Sequence, residues 1–474
     1  MNNWSHFRVV LLSNKYANNL IMRLFISVPW ASLFILILNF SVSWANPHNP
    51  NETLQLSLEE AREYAAEHSF GMRKARADLR IAEEQIWETT AAGLPQVNAS
   101  VGYNYYLDIP TSLVPAEFFG GEPGEFAEIQ FGTEQNVTAT ASVEQLIFDG
   151  QYIVGLRASR IFRDLANQTL QRSEAEIKQS VTETYLLVLL ARENLGMVRQ
   201  NLGNMEQQLH ETREMLREGF TDPINVDQLQ LTVSNMENRI AALERQHEVT
   251  SKLLKFQLGL DMDQNLELTD KLEDLHGVLL SDLGAATAFS PRNHIDYRIT
   301  QSQESMSLMT LRREQSAYLP SLSASFTRQE MAMRDEFNFF DGDQSWFPST
   351  YFGVNLTIPI FSSGMRASRV QQARLELEKS RTAREEVYHF LDLQMQEAMA
   401  DYHTAMEQYA NEQDNLDLAA RIFERTTTMF REGMASSLEL TQANDQMITT
   451  RANYYQALFE VLNAENNMLR ALGQ

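Results

Sequence analysis

The sequence predicts a mainly α-helical protein with a small β component, and three observations support this fold class. Most of the chain places apolar residues at helical spacing within segments rich in Ala, Glu, Gln and Arg. Four shorter segments alternate apolar and polar residues, which is typical of β-strands. The same order of helices and strands occurs twice along the chain. We therefore interpret the protein as two copies of a long-helix hairpin unit, each with its own strand pair.

Residues 1–45 are predicted to be a secretory signal peptide. An apolar stretch at residues 24–40 follows a short basic region, and small residues then lead to a cleavage site after Ala45. Residues 1–21 have the character of an upstream extension, which makes Met22 an alternative translation start. A retained membrane anchor is the other interpretation, because the apolar stretch is near the lower limit for a spanning helix.

Composition excludes several classes of function. The chain has 474 residues, with 39 Lys and Arg against 63 Asp and Glu, a formal charge of −24 and no cysteine. Disulfides, cysteine-bound metals and thiol nucleophiles are therefore excluded, and the acidic balance argues against a nucleic-acid partner. No phosphate-binding loop, nucleophile elbow or His-Glu-x-x-His motif is present, so we expect neither an enzyme nor a cofactor.

Two sets of residues were weighed as metal ligands, and both favour an ordinary surface role. His389 and His403 are about 21 Å apart along one predicted helix, which is too far for a shared metal ion. Asp341 and Asp343 flank a glycine and could contact a cation, but two carboxylates are too few for a calcium loop. We expect a solvated turn there and no metal site.

Four short motifs recur in the same order and indicate an internal duplication. Their spacing corresponds to a unit of about 214 residues. The paired motifs are Leu94-Pro95 with Leu319-Pro320, Phe148 with Phe361, residues 215–219 with 429–433, and Leu258-Gly259 with Leu472-Gly473.

Each repeat is predicted to contain a helix, a strand pair, a very long helix, a tight tip and a final helix. The first helix is expected to run unbroken from Leu58 to Ala92. In the first repeat, 46–259, we place strands at 96–108 and 135–147, the long helix at 150–218 and the last helix at 223–258. In the second repeat, 284–474, we place strands at 321–330 and 350–360, the long helix at 364–432 and the last helix at 436–472, with a linker at 260–283 between the repeats.

The long helices carry coiled-coil seams but are polar elsewhere. Apolar residues recur at alternating steps of three and four, as in two-stranded coiled coils. Because Gln, Asn, Glu and Arg fill most other positions, we expect a helical wall that is wet on both sides, an α-barrel. The runner-up interpretation is a secreted coiled-coil structural or adhesion protein. The seams are Leu195, Val198, Leu202, Met205 and Leu209, then Leu229, Val233, Met236 and Ile240, and then Leu440, Ala443, Met447 and Thr450.

The strand segments are long enough to cross a membrane. Each has about 9–12 residues and alternates an apolar with a polar face, as transmembrane barrels do, although a sandwich face has the same alternation. Four strands cannot close a barrel and open edges are not tolerated in lipid, so a membrane barrel must be shared between chains. Three chains would supply twelve strands. The segments joining the strands, 108–135 and 328–350, are expected to be irregular loops.

These features resemble the TolC family of outer-membrane efflux proteins. The resemblance rests on the Leu56–Ala61 opening, the Leu-Pro before a strand in each repeat, the strand exits at Phe148 and Phe361, and the Arg-x-Gly tips, and it covers nearly the whole mature chain. It implies a homotrimer with a twelve-stranded β-barrel in the outer membrane, a periplasmic helical tunnel and a mixed equatorial belt. It also implies a periplasmic adaptor and an inner-membrane transporter as partners. The expected function is passive, gated efflux or type I secretion across the periplasm and outer membrane.

The resemblance assigns adaptor docking to the two helix tips. The residues concerned are Gly219, Phe220 and Thr221 in the first repeat and Gly433, Met434 and Ala435 in the second. A simple helix-hairpin turn explains the glycines equally well. The two interstrand loops would then face outside the cell.

The family pattern also places carboxylates around the periplasmic entrance, shortly after the second tip. Here Glu439 occupies the first expected position, Gln442 the second, and Asp445 lies just beyond it. Threefold repetition of a carboxylate in a narrow pore favours cations. The tether residues that close this entrance in the best-studied relative are replaced by Phe430, Ala435 and Asn225. We therefore expect the closed state of this chain to be held in another way or less firmly.

Overall fold

The computed structural model describes residues 53–277 and 289–473. The predicted signal peptide lies outside these residues, as does the end of the predicted linker. The described residues form two compact units: a strand unit, made of residues 94–147 and 322–356, and a helical unit that contains the rest. Within the described part of the chain, no helix is long and apolar enough to pass through a membrane.

Long helices dominate the helical unit, as the sequence predicts. Two of them, Gly150–Arg217 and Met365–Arg431, are continuous over 68 and 67 residues. Each is followed across a short turn by a helix of 36 residues, which completes one hairpin per repeat. The helices described are α1 (Leu58–His68), α2 (Phe70–Ala91), α3 (Gly150–Arg217), α4 (Pro223–Leu258), α5 (Ile295–Ser316), α6 (Met365–Arg431) and α7 (Ser437–Leu472).

The expectation of one unbroken helix from Leu58 to Ala92 is wrong. The chain breaks at Ser69, whose backbone is extended, with a ψ of 150°, and α2 starts directly after it. The Ser69 hydroxyl accepts a hydrogen bond from the Met72 backbone N–H, so Ser69 is the N-cap of α2. Serine favours the N-cap position of a helix, but the helical periodicity on both sides of Ser69 predicted a continuous helix.

The predicted seams are buried, which confirms their role in helix packing. In the hairpin of the first repeat, Met205 and Leu209 of α3 pack with Leu229 and Val233 of α4. Leu440 of α7 joins the same apolar cluster. Removing a buried leucine of this kind from a helix interface costs about 2–5 kcal/mol.

A second apolar cluster surrounds a small parallel strand pair that the sequence did not predict. Strands β1 (Leu54–Leu56) and β6 (Leu266–Leu268) pair in parallel, with Leu54 opposite Leu266. Leucines of both strands pack with the fully buried Tyr185 of α3 and with Leu458 of α7. Residues from before α1 and after α4 are thereby joined in one core.

The strand unit contains a four-stranded sheet in the order β2-β5-β7-β8. Strands β2 and β5 are antiparallel, with Val101 opposite Ala139 and Tyr103 opposite Val137. This register keeps the apolar residues of both strands on one face. The sheet strands are β2 (Gln96–Tyr105), β5 (Gln135–Phe148), β7 (Ser321–Arg334) and β8 (Phe347–Thr357).

The two interstrand segments are more regular than the sequence analysis expected. Within 108–135, strands β3 (Thr111–Pro115) and β4 (Phe126–Gln130) form a separate antiparallel hairpin around a short 3-10 helix, Ala116–Phe119. The loop expected at 328–350 is shorter, because β7 continues to Arg334 and β8 begins at Phe347. Prolines and glycines in these segments mark the turns of the hairpin and concealed its strands.

Candidate functional site

The first helix tip is a tight turn that exposes one aromatic side chain. Gly219 has a φ of 80°, a left-handed conformation that glycine adopts without strain. The Phe220 N–H donates to the Met215 carbonyl oxygen at 2.8 Å, which closes the end of α3. The Phe220 side chain is 77% exposed. Helix α4 then begins at Pro223, capped by the Asp222 carboxylate.

The second tip repeats this geometry at the matching positions. Gly433 has a φ of 73°, and the Met434 N–H donates to the Met429 carbonyl oxygen at 2.8 Å. The Met434 side chain is 62% exposed. Both tips therefore present one apolar side chain directly after a left-handed glycine.

The other two predicted tip residues are not equally available. Thr221 is partly buried, and its hydroxyl oxygen accepts a hydrogen bond from Asn225 Nδ2 at 3.0 Å. Ala435 packs against the apolar cluster between the hairpins. Phe220 and Met434 are thus the exposed members of the predicted set, while Thr221 and Ala435 support the turns.

Uncharged side chains join the two hairpins next to their tips. The fully buried Ser437 hydroxyl lies within hydrogen-bond distance of Asn225 Oδ1 and Gln228 Oε1, and its single proton is donated to one of them at a time. Farther along the same helices, the Thr232 and Thr441 hydroxyls are 3.4 Å apart. We call these five side chains the tip network.

Two further contacts connect the hairpins through α3. Asn201 Nδ2 donates to Asn444 Oδ1 at 2.7 Å, and Asn444 is fully buried. Arg431 Nε lies 3.6 Å from Glu211 Oε2, an exposed ion pair of small energetic value. Most of the polar linkage near the tips is therefore uncharged.

Two of the residues at the family's tether positions lie in different surroundings. Asn225 is a member of the tip network, whereas Phe430 is buried in the apolar cluster and forms no polar tether. The sequence analysis missed Ser437 and Gln228, because single polar residues on a coiled-coil face give no pattern. The only sequence signal for Ser437 is that it follows another serine, Ser436.

Glu439 has a structural partner that the sequence analysis did not identify. Its carboxylate accepts hydrogen bonds from the Ser436 backbone N–H and hydroxyl, while the Ser436 hydroxyl caps the Glu439 N–H at 3.2 Å. This is a capping box, and its Ser-x-x-Glu spacing is readable from sequence. The hydrogen bond from the Ser436 backbone, followed by that from its side chain, lowers the pKa of Glu439 below its ordinary value.

The three predicted entrance residues lie along one exposed side of α7. Glu439, Gln442 and Asp445 are three residues apart and all exposed. Although the Asp445 side chain reaches solvent, partial desolvation by its neighbours raises the pKa of its carboxyl, against the opposing effect of Arg239 on α4. Asp445 and Arg239 line a shallow groove between α4 and α7.

The sheet of the strand unit carries an uncovered apolar face. Val101 of β2 is 75% exposed, although it lies in the middle of a strand. A patch of this kind on a folded protein indicates contact with lipid or another surface. Exposed apolar side chains at alternating positions of these strands include Val97, Tyr103 and Tyr105 of β2, Phe326 of β7, and Phe352, Val354 and Leu356 of β8.

The considered metal positions show ordinary local contacts. Asp341 lies in a turn, where its carbonyl oxygen accepts from the Gln344 N–H at 3.3 Å. His389 and His403 each pack against the tyrosine before them on α6. Across residues 53–277 and 289–473, no group of three or more His, Asp or Glu side chains is arranged to hold a metal ion.

Comparison with protein families identifies the chain. The sequence matches the family model for Outer membrane efflux protein over residues 61–260 and 307–474, which includes both hairpins and both tips. The chain belongs to the outer membrane efflux protein family. The expected relationship to TolC is thereby confirmed, and the coiled-coil adhesion alternative is not favoured. A comparison with curated proteins gives no match.

Solved structures of outer-membrane channels have the same fold as this efflux protein. CusC superposes with a TM-score of 0.68 at 16% identity, covering 91% of this chain and 95% of CusC. The CmeC outer membrane channel of Campylobacter jejuni gives 0.65 at 16% identity, with 93% of each chain covered. The MtrE outer membrane channel of Neisseria gonorrhoeae, solved in its open state, gives 0.64 at 14% identity, with 88% of each chain covered.

Family membership settles the general role and place of the protein. It is an outer-membrane efflux channel-tunnel, located in the bacterial outer membrane and extending into the periplasm. The predicted duplication of long helices is confirmed as the fold. Its family and structural neighbours are channels rather than enzymes.

Proposed function

We propose that three copies of this chain form a passive export duct with no catalytic activity. Each chain would supply four strands to a twelve-stranded barrel in the outer membrane, and its long helices to a periplasmic tunnel. A periplasmic adaptor would bind at the tips and connect the duct to an inner-membrane transporter. The exported cargo would be selected mainly by that transporter.

The observation that carries this proposal is the four-stranded sheet with its exposed apolar face. Strands β2 and β8 are its outer members, and an outer strand offers backbone N–H and C=O groups to a further strand. Lipid would cover the apolar residues, and pairing between chains would remove the edges, as a spanning sheet requires. A barrel closed with two other copies of the chain would place the apolar face against lipid and would pair both outer strands.

A charge placed on either face of β2 tests the barrel. Val101→Asp puts a carboxylate on the apolar face, and Ser100→Asp puts the same group on the polar face one residue away. A charge on a lipid-facing barrel residue destabilises insertion by up to about 2–4 kcal/mol. We expect Val101→Asp to lose heat-modifiable trimers from the outer-membrane fraction, while Ser100→Asp retains them. Equal recovery of both variants as water-soluble monomers would contradict the proposal.

The tips and the first turns of α7 are proposed to form the docking surface and the entrance. Phe220 and Met434 are exposed and occupy matching positions of the duplicated tips, which supports adaptor docking. Glu439, Gln442 and Asp445 share an exposed side of α7 next to the second tip. In a trimer, each carboxylate would occur three times around the entrance and would favour cations.

The tip network is proposed to keep the entrance closed at rest. It joins α4 of one hairpin to α7 of the other through Ser437, Asn225 and Gln228. Because these side chains are uncharged, salt would weaken this closure less than it weakens one made of ion pairs.

A further inference from the structure

Helix α7 contains one glutamate whose burial the conduction role does not explain. Glu465 is 0% exposed, and no side chain donates a hydrogen bond to its carboxylate, on which the Gly277 backbone N–H acts. Buried carboxylates are normally paired or hydrogen-bonded, because removing an unpaired charge from water costs several kcal/mol. Glu465 therefore requires a physical explanation.

One polar group faces this carboxylate from another part of the chain. His276 Nδ1 lies 3.8 Å from Glu465 Oε1. This nitrogen is also sealed from solvent and has no hydrogen-bond partner of its own. His276 Nδ1 and Glu465 Oε1 are thus separated by about 1 Å more than a hydrogen bond.

Aromatic and apolar side chains form the rest of the surroundings. On α6, burial and, to a smaller extent, the nearby Glu465 charge raise the pKa of Tyr402, and the Tyr409 ring packs 5.3 Å from the His276 ring. The Tyr409 hydroxyl contacts the Tyr454 hydroxyl of α7 at 3.3 Å. In the described residues no Lys or Arg forms an ion pair with Glu465. The apolar neighbours on α6 and α7 are Ala405, Val461 and Ala464.

This environment favours the neutral form of Glu465. Burial raises the pKa of its carboxyl to about 7, against a weaker opposing effect of the Gly277 backbone N–H. Glu273 is another acid in this region, and its negative charge adds to the effect of burial in raising the pKa values of Tyr454 and Tyr455. It supplies no positive charge that could pair with Glu465. The carboxyl can therefore change its charge between mildly acidic and neutral conditions.

His276 belongs to a short segment that lies against the helices. We call residues 266–277 the strap. The strap starts with β6, which pairs with β1, and continues with Leu272 and Leu275, both buried in the large apolar cluster with Leu458 and Leu462 of α7. His276 follows directly, so its contact with Glu465 is the last attachment of the strap to α7 before Gly277.

We propose that Glu465 and His276 form a proton-operated latch, which fastens the strap to α7 when Glu465 is protonated and loosens when the carboxyl ionises. In the protonated form, the Glu465 carboxyl can hydrogen-bond with His276 Nδ1 after a side-chain shift of about 1 Å: its hydroxyl donates to an unprotonated Nδ1, and its carbonyl oxygen accepts from an Nδ1–H. Loss of that proton to solvent leaves a carboxylate among tyrosine rings and alanines. Local opening of the strap then relieves the charge by admitting water.

Proton linkage gives the direction and the pH window. Opening exposes Glu465 and returns its pKa from about 7 toward the ordinary 4.5, so opening releases a proton between these values. The opening equilibrium should therefore rise about tenfold per pH unit from about 4.5 to 7, and level off on either side. The latch is tight in acid, and the total change is at most roughly 300-fold.

Hydrogen exchange of the strap tests the latch in the full-length protein in detergent. Peptides covering residues 266–277 are followed by mass spectrometry from pH 5 to 8, with labelling times scaled for the pH dependence of intrinsic exchange. We expect opening of the wild-type strap to rise about tenfold from pH 5.5 to 6.5. Glu465→Gln should remove this slope and keep the protection high at pH 8. Glu267→Gln removes an exposed carboxylate of the strap and should keep the wild-type slope.

A second variant tests the contact with His276 separately from the ionisation of Glu465. His276→Ala leaves the carboxyl to titrate but removes its partner, so protection at pH 5 should fall by several-fold while a slope remains. Three results would overturn the latch: a wild-type strap insensitive to pH, a slope that persists in Glu465→Gln, or unchanged acid protection in His276→Ala. Trimer mobility on gels confirms that each variant is folded.

Discussion

The carboxylate of Glu439 accepts a hydrogen bond from the Ser436 backbone N–H at 2.7 Å and another from the Ser436 hydroxyl at 3.0 Å. The same arrangement occurs at the start of α1, where Glu60 accepts from the Ser57 N–H at 2.8 Å and from its hydroxyl at 2.9 Å. Glu439 therefore has a capping role as well as its proposed role in the pore. A substitution that tests the pore role of Glu439 must therefore remove its charge and keep its capping hydrogen bonds.

Glu439→Gln separates the charge from the cap. The amide oxygen can still accept from Ser436, so helix α7 should keep its start, whereas an alanine would lose the cap as well. We predict a lower preference for cations over anions in planar-bilayer recordings, with trimer stability little changed. Glu60→Gln makes the same change in a capping box outside the predicted entrance, and it should conduct as the wild type does. Unchanged cation preference in Glu439→Gln would remove this residue from the pore.

The pH dependence of selectivity follows from the same hydrogen bonds. They lower the pKa of Glu439 below 4.5, so the carboxylate stays ionised when the medium is acidified to about that pH. The capping contribution is likewise present above pH 4.5 and is lost only as the pH falls through the lowered pKa. Cation preference should accordingly persist at pH 5. Loss of the preference already at pH 5 would point to another group, and Asp445, whose pKa is raised by partial desolvation, is the first to test.

Removing one hydroxyl should loosen the closed tip. Ser437→Ala leaves the Asn225 and Gln228 oxygens without their donor between α4 and α7, at a cost of about 1–3 kcal/mol. We predict a higher open probability in bilayer recordings, by a factor of roughly ten for each 1.4 kcal/mol lost from the closed state. Ser305→Ala is the control, since the Ser305 hydroxyl bonds to the Gln301 carbonyl of its own helix. A Ser437→Ala channel that gates like the control would show that the tip network does not hold the entrance.

Polar substitution of both exposed tip residues should weaken adaptor binding without unfolding the hairpins. Phe220 and Met434 contribute little to the core, because most of each side chain is already exposed to solvent. Burial of two such side chains in a partner's interface is worth about 2–5 kcal/mol, and we predict at least a tenfold loss of affinity for Phe220→Ser with Met434→Ser. Surface plasmon resonance with the purified adaptor measures it. Val249→Ser, an equally exposed apolar position on α4, should bind normally.

Much of the helical architecture could be predicted because its signals are repetitive. Heptad spacing at Met205, Leu209, Leu229 and Val233 placed the residues that are buried between α3 and α4. The turn motif around Gly219 was recognisable because it occurs again at Gly433. Repetition of a weak local signal at the same place in two repeats made it a strong one.

Other features depend on contacts between distant residues and left no periodic trace. The β1 and β6 strands have three residues each and are parallel partners 212 positions apart at Leu54 and Leu266. Glu465 follows Ala464 on α7, and a charged side chain there has the sequence pattern of a solvated helix face. The groups around it come from the strap, through His276, and from α6, through Tyr402.

A last prediction concerns the hydrogen bonds that attach the strap's first half to the helices. The buried Tyr185 hydroxyl lies 2.9 Å from Asp270 Oδ2 and 3.1 Å from the Leu56 carbonyl oxygen, and Asp270 Oδ2 also accepts from the Leu58 N–H at 2.7 Å. Tyr185→Phe keeps the ring in the apolar cluster and removes only the hydroxyl.

We expect Tyr185→Phe to lower the free energy of unfolding by about 1–2 kcal/mol, since the partly buried Asp270 carboxylate loses one donor while keeping the Leu58 N–H. A lower urea midpoint with an unchanged slope would show this loss. Tyr64→Phe removes the hydroxyl of a tyrosine that packs against the same cluster but takes no part in these bonds, and it should change the midpoint less. If both variants unfold at the same urea concentration as the wild type, the attachment at Asp270 contributes no stability, and the strap is held by its leucines and by the contact of His276 with Glu465.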